Sequence, residues 1–236
     1  MNEKQLAAEK SIEFVKDGMT LGLGTGSTVF FLVNKLSELV KQGLNIKCVS
    51  TSNQTSYLAK SLGVEIVNLN EVDHIDLTID GADEVDKNLN GIKGGGGALL
   101  FEKIVAAASK KVIWIVDSSK YVGKLGKFPL PVEVIPFGSS HLLSRFTDSG
   151  YIPAIRKNGN DIYITDSGNE IIDLHLNVIE NPIKLEQEIK LIPGVVEVGL
   201  FNNIANMVIV GKENSTEIIS RKKKEKTDAV NLFIHL

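Results

Sequence analysis

Helix-type and strand-type hydrophobic patterns alternate along the first half of this chain, and that alternation restricts its fold more than any other feature. Strands separated by helices pair in parallel through crossovers, so the sheet they build is covered by helices on both faces. The spacing predicts a helix over about Glu3 to Lys16, a short strand in MTLGLG (residues 19–24), and a helix from about Ser27 with Val29, Leu32, Val33 and Leu36 on one face. A strand at Ile46 to Val49, a helix near Tyr57 to Leu62, and strands at Val64 to Val67 and Ile75 to Ile79 continue the series. A glycine-rich run, its helix and a strand at Val112 to Val116 complete it. The expected fold is α/β, a doubly wound, mostly parallel sheet with a second, smaller α+β domain.

The texture changes around Lys124. KLGKFPLPVEVIPF sets Pro129, Pro131 and Pro136 around a short β-branched run, which suits a crossing between domains. Short strands then outnumber helices: Ile152 to Ile155, Ile162 to Thr165 and Ile171 to Leu174, followed by a helix over Pro182 to Leu191 and a strand near Val195 to Leu200. The apolar run Met207 to Val210 is expected to rejoin the large sheet. The division that follows is a Rossmann-like domain from 1–126 and 204–236, with the small α+β domain over 127–203.

Composition narrows the partners. A net charge of −3 and a pI near 5.9 argue against broad electrostatic binding to nucleic acid or an anionic membrane, leaving a small molecule as the expected ligand. Cys48 is the only cysteine, so no intrachain disulfide is possible and a reducing, cytoplasmic setting is expected. The N-terminal stretch carries charges every third or fourth place and lacks a signal-peptide core, and no apolar run is long enough to span a bilayer. The basic stretch SRKKKEK (220–226) reads as a solvated end.

Three stretches that follow expected strands carry the chemical information, and in an open α/β sheet that edge is where ligands bind. The first is GLGTGSTV (22–29). Ser27 takes the place of the third glycine of a dinucleotide fingerprint, and Ser50, Thr51 and Ser52 end the next strand where a ribose-binding acid would stand. Thr25, Gly26, Ser27 and Thr28 beside a helix N-terminus suit one phosphate group, or equally form a tight βα turn with a hydroxyl cap.

The second stretch is DHIDLTIDGADEVD (73–86), in which Gly81 and Ala82 separate Asp80 from Asp83 at a strand end. Paired acids there can divide acid and base roles, hold Mg²⁺, or cap a turn. The four histidines are scattered, which disfavours a metal. The third stretch is KGGGGALLFEKIVAAAS (93–109). Lys93 and Glu102 bracket bare glycine backbone, including Gly94, Gly95 and Gly96, whose N–H groups are open to an electron-rich ligand. Burial would raise the Glu102 pKa and the helix N-terminus would lower it, and the pattern alone leaves that contest undecided. An exposed helical glutamate is the plain alternative.

GTGST (24–28), DGADEVD (80–86), KGGGGALLFEKIVA (93–106), SSKYVGKLGKFPLPVEV (118–134) and LIPGVVEVGLF (191–201), in this order and spacing, closely resemble ribose-5-phosphate isomerase of the A type over roughly residues 3 to 215. The resemblance implies interconversion of ribose 5-phosphate and ribulose 5-phosphate through an enediolate, in the non-oxidative pentose phosphate pathway, without metal or organic cofactor. It implies that Glu102 moves the proton between C2 and C1 and that Asp80 and Asp83 assist ring opening and proton movement among the hydroxyls. Lys93 would hold the developing negative oxygen. Thr25 to Thr28, Gly81, Ala82, Gly94 to Gly96 and Lys120 would bind substrate. A homodimer or homotetramer is implied as well. Ser118 departs from the family, which often has an acid there, and the ending RKKKEKTDAVNLFIHL departs from its usual short terminus; apolar Val230, Leu232, Phe233 and Ile234 could cover a subunit or domain surface, or form a disordered tail. A phosphosugar sensor on the same scaffold would need no proton-transfer base, so Glu102, Lys93, Asp80 and Asp83 together count against it.

Overall fold

The computed structural model describes residues 2–221. The expected alternation folds into a six-stranded sheet whose spatial order is Ser215–Ser220, Met207–Lys212, Val112–Asp117, Leu77–Asp80, Thr20–Leu23 and Lys47–Ser50. Every neighbouring pair is parallel except the outermost, where Ser215–Ser220 turns back antiparallel on Met207–Lys212. Met207–Lys212 does rejoin the large sheet, in register with Ile113 to Asp117.

Among the described residues six helices accompany the strands: α1 (Glu3–Ser11), α2 (Ser27–Lys41), α3 (Asn53–Ser61), α4 (Leu99–Ala107), α5 (Ser139–Asp148) and α6 (Pro182–Lys190). Leu32, Val33 and Leu36 of α2 and Ala7 and Ala8 of α1 are fully buried against one face of the large sheet, beside Leu21, Leu23, Ile79 and Ile113. The opposite face carries Trp114, Val116 and Val208, packed with Leu99 and Ala106 of α4 and with Phe201. This two-sided burial explains why the strands read as continuous apolar runs rather than alternating ones.

A four-stranded antiparallel sheet, ordered Val195–Val198, Leu130–Val134, Glu170–Leu174 and Pro153–Ile155, forms a separate core with Leu142 and Phe146 of α5 and Ile189 of α6. Here the structure departs from expectation. The proline-rich run read as a crossing contributes a wholly buried central strand, Leu130–Val134. Pro131 is accommodated because its carbonyl still accepts from the Gly199 N–H at 2.7 Å, while the Gly199 carbonyl, which a residue with an N–H would have bonded, accepts from Lys93 N at 2.9 Å instead. Helix α5 and the strand Ser215–Ser220 were not anticipated, and Val64–Val67 makes only one isolated bridge, Ile66 to Cys48. Helix α1 stops at Ser11 and a single 3₁₀ turn, Ile12–Phe14, follows. The tail after Arg221, with Val230, Leu232, Phe233 and Ile234, lies outside the described residues.

A third, small ribbon matters most for the chemistry. Glu84–Val85, Gly91–Ile92 and Leu200–Phe201 pair antiparallel and fold the DGADEV segment back beside the start of the glycine run.

Candidate active site

The strand Thr20–Leu23 has Lys47–Ser50 on one side and Leu77–Asp80 on the other, so the chain reverses its winding direction between Thr20–Leu23 and Leu77–Asp80. Carboxyl ends at such a reversal open into a crevice. At its base the Gly24 N–H donates to the Ile79 carbonyl at 3.0 Å. A Cβ on Gly24 would overlap the Asp80 carboxylate, so only glycine lets the two strand ends close up. Asp80 Oδ1 accepts from the N–H groups of Thr25 (3.1 Å) and Gly81 (2.7 Å), fixing both turns from below.

Helix α2 starts from Gly26 at φ +114° with no side chain capping its first N–H groups. An uncapped helix head of this kind is an anion site by geometry. Thr25 is held by hydroxyl contacts to Thr51 and Ser52, each at 2.8 Å, which gives the hydroxyl-rich end of the second strand its role. Lys4 of α1 donates to Ser27 Oγ at 2.9 Å and so brings a cation to the same helix head.

The small ribbon delivers Lys93 to the other wall. Its ammonium spends all three donors: Asp80 Oδ2 at 2.9 Å, Glu102 Oε1 at 3.0 Å and the Gly81 carbonyl at 2.6 Å. The Phe201 ring lies 5.4 Å from it. Burial works against the charge, but the carboxylates of Asp80 and Glu102 outweigh it and hold Lys93 protonated beyond the ordinary lysine range.

Glu102 sits one turn into α4 and is only 4% exposed. Its Oε2 has no hydrogen-bond partner. Burial, with the Asp80 charge adding to it, raises its pKa to about 8 despite the opposing pull of Lys93. The contest left undecided by the pattern is therefore won by desolvation. A carboxylate with one free oxygen and a pKa near neutrality is suited to taking and returning a proton.

Asp83 holds the glycine turn. Its Oδ2 accepts from the Gly95 N–H at 2.7 Å, while its own N–H donates to the Ile92 carbonyl at 2.8 Å. Burial raises its pKa, opposed by the Gly95 bond and by Lys93, Lys120 and Arg156. The Gly97 N–H closes the turn onto the Gly94 carbonyl at 2.9 Å.

All the expected site residues except Asp80 line one cavity of about 140 Å³: Thr25 to Thr28, Gly81 to Asp83, Lys93 to Gly96, Glu102 and Lys120. Asp80 lies beneath its floor, 2% exposed, with its oxygens occupied by backbone and Lys93. Lys4 and Asp117 also line the cavity and were missed from sequence. Lys4 stands in a short, polar helix with no local signal. Asp117 caps the turn Ser118–Lys120 by accepting from Ser119 N at 3.1 Å, and so sets the position of Lys120. Ser118 donates through N and Oγ to Glu3 Oε2 at 2.9 and 2.7 Å, tying this turn to α1. Among the described residues no group of three or more His, Cys, Asp or Glu converges as a metal site.

Comparison with known proteins follows this geometry. The family model described as ribose 5-phosphate isomerase A (phosphoriboisomerase A) matches residues 47–215. A ribose-5-phosphate isomerase A of Lactiplantibacillus plantarum is 53% identical over 93% of this chain and 97% of its own length. One from Bifidobacterium adolescentis is 51% identical over 94% of this chain and 96% of its own. Among solved structures, a D-ribose-5-phosphate isomerase in complex with phospho-erythronic acid superposes with a TM-score of 0.90 at 40% identity, covering 94% of this chain and all of that one. The Methanocaldococcus jannaschii ribose 5-phosphate isomerase A gives 0.87 at 38% identity, covering 92% of this chain and 98% of the other.

Proposed function

This chain belongs to the ribose 5-phosphate isomerase A family, and on that premise we propose which of its residues carry the reaction. The family interconverts ribose 5-phosphate and ribulose 5-phosphate, an aldose–ketose isomerisation, and a phosphosugar is accordingly the substrate. The observation that carries the residue assignment is the buried Lys93 ammonium shared between Asp80 and Glu102 at the wall of the cavity.

In this proposal Glu102 takes the C2 proton of the open-chain aldose, the electron pair moves onto the carbonyl oxygen at C1, and the enediolate forms. The same carboxyl returns the proton to C1 as the ketone forms at C2. The hydroxyl proton passes from O2 to O1 in the same exchange. The free backbone N–H groups of the glycine turn donate to the developing negative charge, the place where fixed donors stabilise most, and the Lys93 ammonium, its own donors spent, adds its positive field. Asp83, which lines the cavity, assists ring opening and the hydroxyl proton transfer. Asp80 acts through Lys93 and the Thr25 and Gly81 turns, as a positioning residue. The phosphate rests on the uncapped head of α2 with Thr25, Ser27 and Thr28, and Lys4 and Lys120 supply the balancing charge.

The proposal also includes turnover without metal or organic cofactor, no nucleic-acid partner, a cytoplasmic setting, assembly as a homodimer or homotetramer, and the domain division at 1–126 with 204–236 and at 127–203. Among the described residues no helix is long and apolar enough to cross a membrane. NMR of the protein with ribose 5-phosphate in D₂O and excess chelator tests the chemistry. Ribulose 5-phosphate formation with deuterium entering at C1 supports the enediolate route. Conversion that stops with chelator refutes metal independence, and conversion that always retains the original hydrogen refutes exchange through Glu102.

A further inference from the structure

The cavity walls come from the large sheet and the small ribbon, yet one strong cation reaches the glycine turn from the four-stranded sheet. Arg156, next to the edge strand Pro153–Ile155, has its side chain only 14% exposed. Its Nε donates to Asp173 Oδ2 at 2.9 Å and its Nη2 to Asp173 Oδ1 at 2.5 Å, a two-pronged carboxylate contact. Asp173 is fixed in the middle of the ladder, opposite Pro131 on one side and Ala154 on the other. The remaining Nη1 donates to the Gly94 carbonyl at 2.7 Å and to the Gly95 carbonyl at 3.2 Å.

Those two carbonyls belong to the two peptide units that matter for the chemistry. In a trans peptide the C=O and N–H point in opposite directions, and no cis peptide occurs among the described residues. Fixing the Gly94 carbonyl therefore aims the Gly95 N–H away from Arg156, and that N–H is the one holding Asp83. Fixing the Gly95 carbonyl likewise aims the Gly96 N–H away from the guanidinium, and Gly96 lines the cavity. A charge-assisted bond to each carbonyl also polarises its peptide, which strengthens the N–H as a donor at the other end. Glycines are loose enough to need this restraint, because the turn has no side chains of its own to hold it.

We propose that Arg156, oriented by Asp173, is a positioning residue for the isomerisation: it sets the two peptide units of the Gly94–Gly96 turn so that one N–H holds Asp83 and the next faces the reacting oxygens. The small domain thereby completes the active site without touching substrate. This rests on the assignment of the glycine turn to the enediolate end of the substrate and of the α2 head to its phosphate.

The test uses the full chain and three variants, Arg156→Met, Arg156→Lys and Asp173→Asn, with kcat, KM and calorimetric binding of two probes. One probe is inorganic phosphate, which occupies the phosphate end alone. The other is 4-phospho-erythronic acid, whose carboxylate stands in for the enediolate oxygens. Arg156→Met is expected to lower kcat roughly 10- to 100-fold, somewhat less than deletion of a direct oxyanion donor. Phospho-erythronate binding should weaken by a comparable factor while phosphate binding changes less than about twofold. Arg156→Lys keeps the charge but not the fork, so it should recover only part of the loss. Unchanged kcat in Arg156→Met, or equal weakening of both probes, overturns the proposal, the latter because a merely structural clamp would disturb the whole cavity. If Arg156→Met does not fold, Asp173→Asn decides: a kcat loss with phosphate affinity retained supports the proposal, and wild-type kinetics overturn it. Failure of the wild-type chain to isomerise, or of Glu102→Gln to lose turnover, would instead defeat the underlying site assignment.

Discussion

Replacing Glu102 by Gln separates its two physical roles, because the amide keeps the shape of the side chain and removes both its charge and its basicity. In the proposed role of base, removal of Glu102 should lower kcat at least roughly 100-fold, the low end for a positioned proton-transfer group, with phosphosugar binding retained. As a buried acid it has a second signature. Its pKa rises from the usual 4.5 to about 8 on folding, burial being the main cause and Asp80 the next. The folded protein then holds a proton that the unfolded chain has released between those values, so the stability linked to this group is complete below about pH 4.5 and is lost as pH rises toward 8. At 1.36 kcal/mol per pH unit the loss amounts to at most about 5 kcal/mol, which Gln cannot show. Denaturant unfolding of both proteins at pH 5, 6.5 and 8 measures it. The variant should gain on the wild type steadily over that interval. Parallel stability curves for the two proteins would refute the burial argument, and unchanged kcat would refute the catalytic one. The wild-type kcat/KM should fall as pH drops below about 8, since the base must be ionised to accept a proton.

Three further perturbations follow from the contacts. Thr28→Ala, which removes a hydroxyl at the head of α2, should raise KM more than it lowers kcat in steady-state assays, and the reverse split would take Thr28 out of phosphate binding. Gly24→Ala drives a methyl group into the Asp80 carboxylate; loss of activity together with a lowered melting temperature is expected, and wild-type behaviour would show that the strand ends are not so tightly closed. Lys103→Met should cost about 3 kcal/mol or more in denaturant unfolding, since the Lys103 ammonium, 15% exposed, serves Glu186, Glu197 and the carbonyls of Val198 and Leu200 at 2.8 to 2.9 Å. A change below about 0.5 kcal/mol would mean that α4 is docked by its apolar face alone.

Much of the site is legible in the sequence because it is built from strand ends, and strand ends are marked locally. Gly24, Gly26 and the glycines after Lys93 are where the backbone must turn sharply or approach another chain segment, and the hydroxyls and acids beside them are where ligands meet a doubly wound sheet. Less legible are groups whose role depends on a distant partner. Lys4 sits in an unremarkable helix and gains its place only when α1 packs beside the head of α2. Arg156 lies 62 residues from the carbonyl it holds. The proline-rich run around Pro131 hid a central strand because the carbonyl that the missing proline N–H would have bonded, that of Gly199, accepts from Lys93 instead, a fact of pairing rather than of propensity.

The alternation of elements is written along the chain, and with it the mostly parallel sheet, the crevice at the reversal of winding, and the residue types collected there. Periodicity and turn chemistry act over a few residues, so a linear reading captures them. The electrostatic state of the collected residues, by contrast, exists only in the folded molecule. Whether Glu102 is an exposed helical glutamate or a buried acid raised toward neutrality depends on how completely water is excluded and on how near Asp80 and Lys93 come to it. Desolvation and Coulomb interaction depend on distance in space, and that distance is set only when the small ribbon folds Lys93 back between the two carboxylates.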